Sequence, residues 1–161
     1  MTLTSPEPIC ADTSYPCRHD AAAMTARLFP LFTAAAAFTV YLSTMAPSIY
    51  WGDGIEISAV CATGGIAHPT GYPLFTMLGY AACRLFPRNP AYATNLLCGL
   101  FAAAAAGVFH MFFRKMLKMF PADRFLSGWY QDIWASAGAL LLAFSRTLWF
   151  HATMTEVYSL H

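Results

Sequence analysis

Two carboxylates stand three residues apart at Asp53 and Glu56, in the run Trp51-Gly52-Asp53-Gly54-Ile55-Glu56, and a histidine follows in His68-Pro69-Thr70-Gly71-Tyr72-Pro73. A carboxylate at an apolar edge is desolvated, its pKa rises, and it then suits the work of a general base. At i and i+3 of a helix the two acids share one face. Acids at a helix start are equally explained as exposed partners of the helix dipole, with Gly52 or Asp53 capping the first turn. His68 suits a contact to a phosphate or a sugar hydroxyl, and equally a structural hydrogen bond in a Gly/Pro-rich turn. Arg146 lies about a turn inside the outer end of an apolar run, where it can bind a lipid phosphate or snorkel to the headgroups. Glu156 follows that run as a further acid, or as a simple post-helix charge. Only 11% of the 161 residues are charged, so acids gathered at one edge are candidates for function.

The elements that must hold these residues are apolar helices. The chain is 58% hydrophobic, which places it in the membrane class and predicts an all-α membrane protein. A first span is expected over 28–46, closed by Pro47, and a short helix from Asp53 to about Thr63, closed by Gly64-Gly65 and His68-Pro69. Residues 72–86 are short for a span and carry Arg84 and Arg88 at their end. Further spans are expected over 91–113, with a small-residue run Ala102–Gly107 suited to close packing, and over 133–150. Residues 1–26, with Pro6, Pro8 and Pro16 among mixed charges, read as a disordered cytoplasmic tail.

Charge sets the topology. If 72–86 stays on the surface, Arg18, Arg27, Arg114, Lys115, Lys118 and Arg124 lie inside, and Arg84 and Arg88 outside. If it crosses, the two sides balance. The positive-inside bias favours the first, giving three spans plus outer juxtamembrane helices within an outer loop at 47–90. Asp53, Glu56, His68 and Glu156 then share the periplasmic or lumenal side. A net charge of +1 without a basic stripe speaks against nucleic acid as a partner. The five cysteines make no Cys-x-x-Cys or Cys/His cluster, so no metal and no cofactor are expected; Cys61, Cys83 and Cys98 read as small buried hydrophobes.

Several motifs in order carry a resemblance. After a span come an aromatic-Gly-Asp-x-x-Glu element, a Gly-x-x-His-Pro-x-Gly-x-Pro-Leu turn, a helix containing Leu78-Gly79, and Asn89-Pro90-Ala91-Tyr92-x-x-Asn95-Leu96-Leu97. Leu141-Leu142-Ala143-Phe144-Ser145-x-Thr147-Leu148-Trp149 and Glu156-Val157-Tyr158-Ser159-Leu160 follow. From about Thr39 to His161 this resembles the protein O-mannosyltransferase-like membrane family, which includes an animal enzyme acting on plexin-type receptors. The resemblance implies the N-terminal part of a GT-C glycosyltransferase, an integral protein of the bacterial inner membrane or the endoplasmic reticulum membrane. It implies a polyprenyl- or dolichyl-phosphate sugar as donor, membrane lipid as surroundings, and a protein or glycan as acceptor. Asp53 matches the catalytic acid and Glu56 the second acid, with His68, Arg146 and Glu156 as substrate-binding candidates. Ile55 is bulkier than the small residues usual between the acids, Thr70 stands where relatives often have proline, and so does Arg146.

The expected activity is transfer of a sugar, mannose by the resemblance, from the lipid carrier to a protein hydroxyl. The expected chain is a truncated N-terminal fragment, inactive alone, because few helices are present to enclose a lipid-linked sugar. The alternative is a non-catalytic membrane scaffold or a transporter subunit whose acids bind a proton or cation. A transporter places such acids mid-span, whereas these sit at a span end.

Overall fold

The computed structural model describes residues 18–49, 52–69, 71–119 and 128–157, the first ten as backbone only. Six helices follow in order: α1 Arg18–Thr44, α2 Gly54–Thr63, α3 Pro73–Leu85, α4 Pro90–Met119, α5 Trp129–Ala143 and α6 Arg146–Thr153. Among the described residues every regular element is a helix and there is no strand, as the all-α reading expects. Helix α1 starts ten residues ahead of the expected span; the rest of the expected tail, with Cys10 and Cys17, lies outside the described residues.

Among the described residues, α4 alone is long and apolar enough to cross a bilayer as one rod. The apolar part of α1, Leu28–Thr44, is shorter. The expected continuous span over 133–150 is two helices, α5 and α6, bent by 69° at Phe144-Ser145. A serine followed by a polar residue breaks the apolar ladder there. The Phe144 N–H still reaches the Leu140 carbonyl at 2.8 Å, and the Tyr41 hydroxyl donates to the Ala143 carbonyl at 2.8 Å. The bend therefore leaves the Leu140 and Ala143 carbonyls partnered.

Helix α4 is the hub, packed on α1, α5, α6, α3 and α2. Its small residues do what their spacing suggests. Ala102, Ala103 and Ala106 are buried with Ala37, Tyr41, Ala143 and Ala152 in one core, and a Cβ on Gly107 would stand 3.2 Å from the Pro30 carbonyl of α1. A second core joins α2, α3 and the N-terminal part of α4 through Ile57, Cys61, Phe75, Cys83, Cys98 and Val157. The three cysteines are buried and form no disulfide, and burial pushes the Cys61 thiol up to about 12, so it behaves as a hydrophobe. Gly79 of α3 faces the Cys61 sulfur so closely that no Cβ would fit, which accounts for glycine in the Leu78-Gly79 pair.

The other end of the bundle differs from expectation. Arg114, counted above only among the charges that set topology, reaches back to a buried acid, Asp132 of α5. The Asp132 side chain is 1% exposed, with Arg114 Nε at 2.8 Å and His110 Nε2 at 3.5 Å from its Oδ1. The His110 Nδ1 side meets Ser136 at 3.1 Å and Thr33 at 3.4 Å. Three helices are thus tied by one buried polar cluster, which neutralises a carboxylate that would be costly alone.

Candidate functional site

Helix α2 and the four residues after α6 build the site between them. Gly54 is the contact point. A Cβ there would lie 2.8 Å from the Thr155 carbonyl oxygen, so only glycine permits this approach. Behind it, buried hydroxyls hold the two segments to α4: Ser58 meets Thr94 at 3.0 Å, Thr94 meets Thr155 at 2.7 Å, and Thr155 donates to Asn95 Oδ1 at 2.6 Å. Asn95 Nδ2 donates in turn to the carbonyls of Ala46 and Ser48 at 2.9 and 3.3 Å. Asn89 Oδ1 caps α4 at the Tyr92 N–H, 3.1 Å away, while its amide donates to Pro47 at 2.9 Å. The two asparagines of the Asn-Pro-Ala-Tyr-x-x-Asn motif therefore fix the loop that leads from α1 into the site.

Because Gly54 follows Asp53 and Thr155 precedes Glu156, their contact brings these two acids together. Glu156 Oε1 is 3.6 Å from where a Gly52 Cβ would stand, and its carboxyl feels the Asp53 charge. Burial is the largest influence and raises the Glu156 pKa; His151 on the last turn of α6 opposes it, and the Asp53 charge adds the smallest push upward. Asp53 occupies the N-cap position of α2, yet makes no side-chain capping bond. The expected cap by its carboxylate is absent, and the group is exposed.

Glu56 and His68 form a second pair. Glu56 accepts the His68 N–H at 2.8 Å on Oε1 and the His68 ring Nδ1–H at 3.1 Å on Oε2. The backbone bond, then the ring bond, hold its carboxyl below the usual carboxylate range. The ring of His68 lies edge-on to Tyr72 with centroids 5.7 Å apart, so its orientation is set from two sides. With Nδ1 taken, Nε2 is the nitrogen left to meet a ligand.

Of the five expected site residues, four sit at this end: Asp53 with Glu156, and Glu56 with His68. Arg146 does not join them. It is the exposed first residue of α6, at the helix end away from Glu156, and lies outside any continuous span. Sequence reasoning missed His151, whose signal was a lone histidine five residues before Glu156, and the Ser58–Thr94–Thr155–Asn95 network, half of which lies inside a motif already noted.

Residues 53–161 match the family model described as Protein O-mannosyl-transferase TMEM260 N-terminal domain. The mouse protein O-mannosyl-transferase TMEM260 is 39% identical over 124 residues, covering 76% of this chain and 16% of that relative. Its Dictyostelium discoideum namesake is 28% identical over 126 residues, covering 76% and 14%. The chain thus spans about a sixth of the length of the curated relatives it matches. No solved structure matches it.

Proposed function

Because the chain belongs to the protein O-mannosyl-transferase TMEM260 N-terminal domain family, we propose that it supplies the acidic half of a membrane mannosyltransferase site. The donor in this reading is a polyprenyl- or dolichyl-phosphate mannose and the acceptor a protein hydroxyl. Asp53 takes the hydroxyl proton as the oxygen attacks the anomeric carbon, and the bond from that carbon to the lipid phosphate breaks. The inverted configuration follows from a single displacement. Glu156 is the member of the acid pair whose protonation burial favours, which leaves the exposed Asp53 as the base. Glu56 is the second acid by sequence match, and in this geometry it is a positioning residue. It aims His68, whose Nε2 donates to the departing phosphate when the ring carries both protons. The membrane is the setting for a lipid-borne donor, and α4 is the helix best suited to span it.

The observation that carries this reading is the approach of Asp53 and Glu156 enforced by Gly54 against Thr155. Two acids from distant parts of the chain are brought near one another, and Asp53 makes no side-chain capping bond. The test is Asp53→Asn in the full-length enzyme, assayed with polyprenyl-phosphate mannose and a peptide acceptor. Loss of a proton acceptor at unchanged size should lower kcat by about 100-fold or more. Transfer within threefold of the parent would remove Asp53 from the role of base.

A further inference from the structure

We propose that the outer face carries a binding site for one diacyl phospholipid, its phosphate on the Arg88 guanidinium and its chains in the clefts on either side. Two open clefts meet at Arg88 and Asn89. One, of about 270 Å³, is lined by Leu85, Phe86 and Tyr92. The other, of about 320 Å³, runs along α2 past Ile49, Ile55 and Ala59. Neither has an acid in its lining. The wedge between them is rigid, because Asn89 is held by Pro47 on one side and Tyr92 on the other.

Charge and shape select the occupant. Arg88 is exposed, and among the described residues it has no ion pair, so its guanidinium is available to a phosphate. Leu85 is 77% exposed, Ile49 53% and Phe86 47%, so each cleft offers apolar surface that an acyl chain would cover. Two apolar clefts forking from one cation fit an amphiphile with two chains and a phosphate at the branch. A single-chain polyprenyl phosphate would fill one cleft only. The α2 cleft also lies on the flank of Ile55, Ala59 and Ala62, whereas Glu56 and Val60 lie on another flank, so this site is separate from the acid pairs and does not depend on the proposed transfer.

The experiment uses the protein purified in detergent and measures lipid retained per chain by native mass spectrometry. The probes are dioleoyl phosphatidic acid, its one-chain lyso form and a polyprenyl phosphate. One equivalent of the two-chain lipid should be held. Arg88→Gln should weaken it by about tenfold or more, since a bond to a charged group is lost, and Arg88→Lys should restore part of it. The lyso form should bind at least about tenfold more weakly, and Ala59→Trp, which fills one cleft, should reduce the two-chain lipid to the lyso level. Unchanged retention in Arg88→Gln, equal binding of the lyso form, or displacement by polyprenyl phosphate at lower concentration would each overturn the assignment.

Discussion

Replacing Gly54 by alanine tests whether one backbone contact assembles the site. The new Cβ would stand 2.8 Å from the Thr155 carbonyl oxygen and 3.5 Å from the Thr155 Cβ. Carbon–oxygen contacts settle near 3.3 Å or beyond, so the two segments must part by about 0.5 Å. The obstacle is backbone, and no rotamer change can relieve it. Overpacking of this kind costs about 1–3 kcal/mol, against which alanine returns up to about 1 kcal/mol of helix propensity. A net loss of about 1–2 kcal/mol lowers Tm by roughly 2–8 °C for a chain of this size. Function should suffer more than stability, because Asp53 and Glu156 each adjoin the strained contact. Misplacement by 1 Å can cost about 100-fold, so half of that should lower kcat about tenfold. The matched control is Gly138→Ala, where the nearest atom is a Phe113 ring carbon at 3.4 Å and the substitution should be tolerated. The assay is mannose transfer by the full-length enzyme beside thermal melts of both variants. A Gly54→Ala protein with parental Tm and activity would refute the idea that this contact sets the distance between the acids.

Asn95→Ala should lower stability by about 2–4 kcal/mol, since the carbonyls of Ala46 and Ser48 and the Thr155 hydroxyl all lose a buried partner; denaturant titration would read it. The two site glutamates should respond to pH with opposite signs. Glu56 is held low, so its contribution is present above its ordinary 4.5 and fades as pH falls through the lower folded value; the gap in Tm between parent and Glu56→Gln should close in acid. Glu156 is held high, so the fold favours its proton. Its contribution is present below 4.5 and is lost as pH rises through the folded value, and Glu156→Gln should gain on the parent from acid toward neutral pH in the same melts. Arg146→Gln should leave transfer within about threefold of the parent, because the side chain is exposed at the far end of α6.

Much of the local structure was written in residue types. Gly64-Gly65 ends α2, Pro73 opens α3, and the alanines of α4 mark the face that α1 covers. These signals are local, and local chemistry decides them. The pairing of Glu56 with His68 was readable only as two candidates, because a spacing of twelve residues across a turn fixes no distance. The meeting of Asp53 with Glu156 was less legible still, since it depends on a glycine touching a carbonyl about a hundred residues away. Hydropathy also could not foresee the bend between α5 and α6. Leu140 to Phe150 averages as apolar whether straight or bent, and the break at Ser145 does not alter that average. Hydropathy likewise gives no sign that Asp132 is buried, which Arg114 and His110 make tolerable.

The bend between α5 and α6 acts as a depth gauge. Eight residues of straight helix would carry the chain about 12 Å further along the axis of α5. Turned through 69°, the same eight residues advance it only about 4 Å and spend the rest of their length sideways. The lateral run carries the chain across α4 at Gly99, beside which Ala46 and Thr153 join backbone to backbone at 3.0 Å. Glu156 therefore arrives level with the end of α1 and the start of α2, about 8 Å lower than an unbroken rod would have placed it. Straightening this knee would leave every helix intact and still lift one acid out of reach of the other. The angle at Phe144-Ser145, though far from any reacting atom, thus sets the height at which the two acids can meet.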